Sequence, residues 1–198
     1  MRKLHPDLVA FFDQKLVDNG LAQQAIKAKD ARTLLVECAK VCVGIKEKTG
    51  KNDGPIIELM QKTAGGSRGQ AWCMYFVQSC IAYCELKTGK ASPVHVSGHC
   101  MTVWGKTKAE HRVKRHPLPG AVAIWKHGKG PAGHTEIVLG ADESTAKCVG
   151  GNTSGADGTG KVSRDGNGVY YTSRSMQGFP ALKSRIIGMN LVGFIVPF

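Results

Sequence analysis

The chain has 198 residues, with 27 Lys plus Arg against 15 Asp plus Glu and a formal net charge of +12. At 42% hydrophobic and 21% charged residues its composition is that of an ordinary globular protein, which excludes disordered and collagen-like chains despite 25 glycines. A chain this long buries enough core to fold as one domain without disulfide or metal staples, so its seven cysteines need another purpose, and its basic excess needs an acidic partner: nucleic acid, anionic membrane or anionic cell-wall polymer.

In chain order, Met1, Arg2 and Lys3 are followed by His5, Pro6 and Asp7 and not by an apolar run, so no secretory signal is expected. No stretch reaches the roughly 18 apolar residues of a membrane span. An odd cysteine count without a signal is expected of reduced thiols in a cytoplasm. Leu8, Phe11, Phe12 and Leu16 share one face of a predicted helix that stops at Asn19-Gly20, and a second helix starts near Leu21. After Asp30, a candidate cap, Leu34, Leu35, Cys38, Val41, Cys42 and Ile45 recur at helical spacing up to Thr49-Gly50. Asn52-Asp53-Gly54-Pro55 is a turn and cap before a short helix over Ile56–Lys62. Ala64-Gly65-Gly66-Ser67-Arg68-Gly69 breaks that helix. The next is predicted from Trp72 or Cys73 to about Lys87, with Phe76, Val77, Cys80, Ile81 and Cys84 as its apolar stripe.

From Pro119 the period becomes that of strands: Ala121–Trp125, His134–Leu139, Ala146–Val149, Val169–Thr172 and Leu191–Val196, with a long surface loop over Gly150–Gly168. Helices first and strands after give an α+β class, N-terminal helices followed by a small antiparallel sheet.

One cysteine stands apart. Cys73 follows a Gly-rich loop and opens a helix, where unpaired amides and the helix dipole lower a thiol pKa and can hold an oxyanion. Cys38, Cys42, Cys80 and Cys84 lie in apolar stripes and read as packing residues. Downstream, Gly133-His134 begins a predicted strand, and thiol then histidine is the order of a papain-like pair in which imidazole takes the thiol proton. Two residues are candidates to orient the ring. Asn152 follows the next strand. Glu136 shares a strand face with His134, but two residues along a strand span about 6.6 Å, long for a hydrogen bond without bending. Gln70 is a candidate oxyanion donor beside the Cys73 amide. Trp72 and Trp125 are candidate substrate-binding residues, and Trp104 is a third large aromatic.

These pieces resemble a known family. Asn52-Asp53-Gly54-Pro55, Ala71-Trp72-Cys73-Met74-Tyr75-Phe76-Val77, Leu118-Pro119-Gly120, Gly133-His134, Gly151-Asn152-Thr153-Ser154 and Val192-Gly193-Phe194 resemble, in order, the CHAP domain. This is the cysteine, histidine-dependent amidohydrolase/peptidase family of papain-like fold, and the sequence looks particularly like the compact members common in phages. The resemblance covers about Val43 to the C-terminus, with residues 1–42 as a helical extension on the same domain and 43–198 as the catalytic domain. It implies Cys73 as nucleophile, His134 as base and Asn152 as orienter. The chain departs from the family in Gly150, where an acidic residue is frequent, in Glu136, where a small one is frequent, and in Ala121 for a frequent aspartate. These departures keep Glu136 open as the orienter. The calcium loop of some members has only Asn52 and Asp53 to match it, so no metal or cofactor is expected.

The resemblance further implies peptidoglycan as substrate, cut by an amidase or endopeptidase through a thioester, in a monomeric phage endolysin held in the host cytoplasm until release. A secreted antibacterial effector and a virion-associated lysin are alternatives with the same catalysis. The basic stretch Lys106, Lys108, His111, Arg112, Lys114, Arg115 and His116 is either a solvated face or a contact for anionic wall or outer-membrane polymer. Two other classes compete. Cys80, Cys84, His95 and His99 have the spacing C-x3-C-x10-H-x3-H of a zinc module, although the cysteines fall on a helix where a finger needs a hairpin. A non-catalytic basic protein that binds wall or nucleic acid is the other.

Overall fold

In the computed structural model, which describes residues 2–154, 166–176 and 189–198, the helices are α1 (Pro6–Leu16), α2 (Gly20–Ala28), α3 (Ala31–Val41), α4 (Pro55–Thr63), α5 (Cys73–Thr88) and α6 (Cys100–Lys106). Local chemistry sets most of their starts. Pro6 and Pro55 occupy first-turn positions whose N–H would be unpaired anyway. The Asn19 side chain accepts from the Ala22 N–H at 2.9 Å and Asp30 from the Thr33 N–H at 3.1 Å, the usual work of an N-cap.

Two helical features differ from the sequence reading. α3 stops at Val41, although helical spacing runs on to Ile45. The chain instead pairs with the sheet: Gly44 donates to the Val169 carbonyl at 3.0 Å, Val169 donates back to Ile45 at 2.8 Å, and Lys46 bridges Gly168. Strand pairing satisfies backbone groups that a longer helix would have satisfied internally. α6 escaped prediction because its seven residues include Gly105 and are too few for a helical period to emerge.

The strands are β1 (Arg112–Val113), β2 (Val122–His127), β3 (Gly133–Ala141), β4 (Thr145–Thr153), β5 (Gly168–Ser175) and β6 (Met189–Ile195), in the sheet order β1-β6-β2-β3-β4-β5. Neighbouring strands are antiparallel throughout. The α+β class is as expected, but β4 runs on to Thr153, so the loop predicted from Gly150 starts later. Its residues 155–165 lie outside those described.

Strand alternation divides the core. Val122, Ile124, Ile137, Val149, Val169 and Ile195 join α5 in one apolar cluster, while Ala123, Trp125, Val138, Cys148, Leu191 and Phe194 form a second. With helices on one side and sheet on the other, α5 is buried over nearly its whole circumference, well beyond the stripe read from its spacing. The helices before Val43 share this core. Leu8, Phe12, Leu16, Leu34 and Leu35 are fully buried in the first cluster, Tyr83 donates to Asp13 at 2.6 Å, and Arg2 reaches Gln78 at 2.6 Å and Glu85 at 2.9 Å.

Four thiols fall in this interior as predicted. Cys38 pairs with Cys84 and Cys42 with Cys80 where α3 meets α5, and burial pushes the Cys38, Cys80 and Cys84 thiols up in pKa. The zinc reading fails for this reason, since the pairs face each other and not His95 or His99. His99 instead caps α6, accepting from the Thr102 N–H at 3.4 Å. Among the described residues no group of three or more His, Cys, Asp or Glu can hold a metal ion. Asp53 is likewise engaged, accepting from Thr49 and, at 3.1 Å, from Arg68.

Candidate active site

Cys73 is the first residue of α5, preceded by Trp72, whose side chain makes no capping hydrogen bond. The first-turn amides therefore keep their positive field for a negatively charged group. One of them, the Met74 N–H, hydrogen-bonds the Cys73 sulfur. Cys73 is only 6% exposed, and burial alone would raise its pKa. A hydrogen bond from Cys100, whose sulfur lies 3.7 Å away, the hydrogen bond and charge of His134, and the Met74 amide outweigh burial and hold the thiol well below its ordinary range.

His134 enters from β3, opposite Trp125 of β2, and Glu136 follows on the same face opposite Ala123. His134 Nε2 lies 3.1 Å from Glu136 Oε1. A carboxylate only accepts, so Nε2 carries a proton and Nδ1 is left for the thiol. The long carboxylate and the imidazole lean together, which brings their tips far closer than the strand rise between their Cα atoms. Burial would lower the His134 pKa, yet hydrogen bonding to Cys73 and Glu136 and their negative charge raise it to about 9. The two shifts, thiol down and imidazole up, both favour a thiolate–imidazolium pair.

Glu136 is completely buried, and its environment explains how an anion is tolerated there. Arg174 of β5 donates through Nε to Oε1 at 3.1 Å and Oε2 at 3.0 Å and through Nη2 to Oε1, while the Thr172 hydroxyl donates to Oε2 at 2.6 Å. Burial opposes ionisation, but His134 and Arg174 together bring the carboxyl to about 2. Gly150 of β4 makes the room: a Cβ there would stand 2.7 Å from Glu136 Cγ and 2.8 Å from Oε1. Arg174 and Thr172 escaped the sequence reading because only strand pairing, β5 on β4 and β4 on β3, brings them to Glu136. A buried arginine in an alternating strand has no sequence signature of its own.

Asn152 does not approach the imidazole by any hydrogen bond. At a left-handed φ of 50°, its amide is matched when the oxygen accepts from the Trp72 N–H at 3.2 Å and the nitrogen donates to Asn52 Oδ1 at 3.2 Å and the Gly166 carbonyl at 2.7 Å. Asn152 thus fastens the turn ahead of Cys73, and the group on His134 is Glu136. Gln70 is fixed in the same turn, its carboxamide oxygen accepting from the Tyr75 hydroxyl at 2.9 Å and the Ser67 N–H at 3.1 Å.

The tryptophans need correction. Trp72 is fully buried with Nε1 donating to Glu47 at 2.9 Å, and Trp125 is 1% exposed, so neither lines a substrate groove. Trp125 lies with its ring centroid 6.2 Å from that of His134 and 5.8 Å from the Arg174 guanidinium, where its bulk shields the charged pair from water. Trp104 sits beneath Arg112 and Lys114 at 5.2 and 4.7 Å, so part of the basic stretch is spent covering an indole at the sheet edge.

A buried, activated thiol at an uncapped helix start, joined to a histidine whose far nitrogen is held by a carboxylate, is the equipment of amide hydrolysis through a covalent intermediate. In the family comparison, the CHAP domain matches residues 65–152. Over those residues the chain is similar to the CHAP domain. The match runs from the Gly-rich turn before Cys73 through β4 and includes Cys73, His134, Glu136 and Asn152. That similarity points to hydrolase activity of the amidase or peptidase kind on peptidoglycan. No curated protein and no solved structure matched the chain. Among the described residues no helix is long and apolar enough to cross a membrane.

Proposed function

We propose that this protein cleaves a peptidoglycan amide bond with Cys73 as nucleophile, His134 as general base and acid, and Glu136 as the group that orients His134. The observation that carries the reading is the contact chain from Cys73 through His134 to the buried Glu136. The Cys73 thiolate attacks the scissile carbonyl, and the developing oxyanion is held by first-turn amides of α5 with Gln70 as a further donor. His134 gives its proton to the leaving amine, then takes one from water as the thioester is hydrolysed. Asn152, the other candidate orienter, serves by bracing Trp72 and so the position of Cys73.

The role that fits best is a monomeric phage endolysin, held in the host cytoplasm until release, in which residues 43–198 are the catalytic domain and 1–42 a helical extension sharing its core. Support comes from the likeness to compact phage CHAP proteins and from the +12 charge, which suits an anionic wall. Lys106 and Lys108 are exposed members of the basic stretch available to that polymer.

Purified peptidoglycan tests the reading. Cys73→Ala is expected to abolish clearing while retaining the wild-type unfolding transition, and mass spectrometry of wild-type products names the bond through the new termini. A Cys73→Ala protein that still clears the substrate rules out this nucleophile.

A further inference from the structure

Cys100 makes and breaks no bond in the hydrolysis just described, yet it touches the nucleophile, and its hydrogen bond helps to lower the Cys73 pKa. It opens α6 as Cys73 opens α5, and the two sulfurs lie 3.7 Å apart with both thiols reduced. A disulfide needs about 2.05 Å between sulfurs, so the two sulfurs must approach by less than about 2 Å to bond. The Cys100 Cβ is held against β3, 3.1 Å from where a Cβ on Gly133 would stand, one residue from His134. Four of the remaining cysteines are tied up in the α3–α5 interior, and Cys148 lies beside Glu136. Resting on the assignment of Cys73 as nucleophile, we propose that Cys100 is its resolving cysteine: a hydroperoxide oxidises Cys73, and Cys100 captures it as a Cys73–Cys100 disulfide that silences the hydrolase reversibly.

The chemistry balances. The Cys73 thiolate attacks one oxygen of hydrogen peroxide, so an S–O bond forms and the O–O bond breaks. The departing hydroxide takes the imidazolium proton of His134 and leaves as water. Sulfur has lost two electrons to the peroxide and is now a sulfenic acid. The Cys100 sulfur attacks it, the S–O bond breaks as the S–S bond forms, and the Cys100 proton leaves with the hydroxyl as a second water. Electrostatics favour this order. While Cys73 is a thiolate, its hydrogen bond and charge, with burial, raise the Cys100 pKa well above the ordinary value. Once Cys73 is a neutral sulfenic acid, that charge is gone and Cys100 ionises more readily.

The test treats the full chain with hydrogen peroxide and reads two quantities separately: a peptide map without reductant, and clearing of peptidoglycan before and after dithiothreitol. A Cys73–Cys100 linked peptide is expected, with clearing down at least about tenfold and regained to within about twofold on reduction, as for a reversible thiol lesion. In Cys100→Ser and Cys100→Ala, each measured against its own untreated activity, Cys73 is expected to go on to sulfinic acid, with no recovery. A wild-type map with oxidised but unlinked Cys73 overturns the proposal, and it does not depend on either variant folding. A linked peptide with undiminished clearing overturns the nucleophile assignment instead, so the two failures are distinguishable.

Discussion

Replacing Glu136 with Gln keeps the shape of the orienting group and removes its charge, which isolates what the charge does. Gln Oε1 can still accept from His134 Nε2, so ring orientation is retained. At 3.1 Å an imidazolium and a carboxylate attract by about 5 kcal/mol if the effective dielectric constant is about 20, an upper bound that the nearby Arg174 charge reduces. A buried opposite charge at this range moves a pKa by about 1–3 units. His134 stands at about 9 and burial pulls it down, so in Glu136→Gln it falls toward or below its ordinary value.

A raised histidine pKa means that the imidazolium is present below that pKa and lost above it. The alkaline limb of clearing, and the pH above which His134 can no longer protonate the leaving amine, must therefore both move down by about 1–3 units. Stability changes for a different reason. Arg174 is left buried without its anion, at a cost of about 3–5 kcal/mol. The double variant Glu136→Gln with Arg174→Met removes that unpaired charge, so it should regain stability in denaturant titration while the alkaline limb stays displaced. A Glu136→Gln enzyme whose pH profile and thiolate absorbance titration match the wild type would refute the orienting role.

Two further substitutions examine the neighbours. Gly150→Ala puts a methyl group 2.7 Å from Glu136 Cγ and is expected to cost about 1–3 kcal/mol in unfolding free energy and to slow clearing; a variant as stable and active as wild type would show that the carboxylate does not need this space. Asn152→Gly keeps the left-handed backbone at φ 50° free of strain while deleting the brace on Trp72, and it should lower the clearing rate by about tenfold or less with the alkaline limb in place. A limb displaced as in Glu136→Gln would return the orienting role to Asn152.

Much of the helical framework was legible because its signals are local: Asn19-Gly20 as a stop, Asp30 and the Asn52-Asp53-Gly54-Pro55 turn as caps, and apolar residues at a period close to 3.6. The cysteine at the start of a helix and the histidine at the start of a strand were also readable, because each position has its own short signature. The burial of Trp72 and Trp125 was not, since an aromatic residue beside a catalytic one reads equally well as groove or core until the layers are assembled.

Residue types and their order thus determined the α+β class, the CHAP motifs and the pairing of Cys73 with His134. Tertiary structure decided which group holds the imidazole. That choice depends on β3, β4 and β5 lying side by side: β3 supplies Glu136, Gly150 on β4 leaves space for it, and Arg174 with Thr172 on β5 stabilises its charge. The stability of a buried carboxylate depends on partners far away in sequence, so no local pattern around Glu136 could reveal it. The proximity of Cys100 to Cys73 is decided in the same way, by the meeting of two helix starts that lie far apart in the chain.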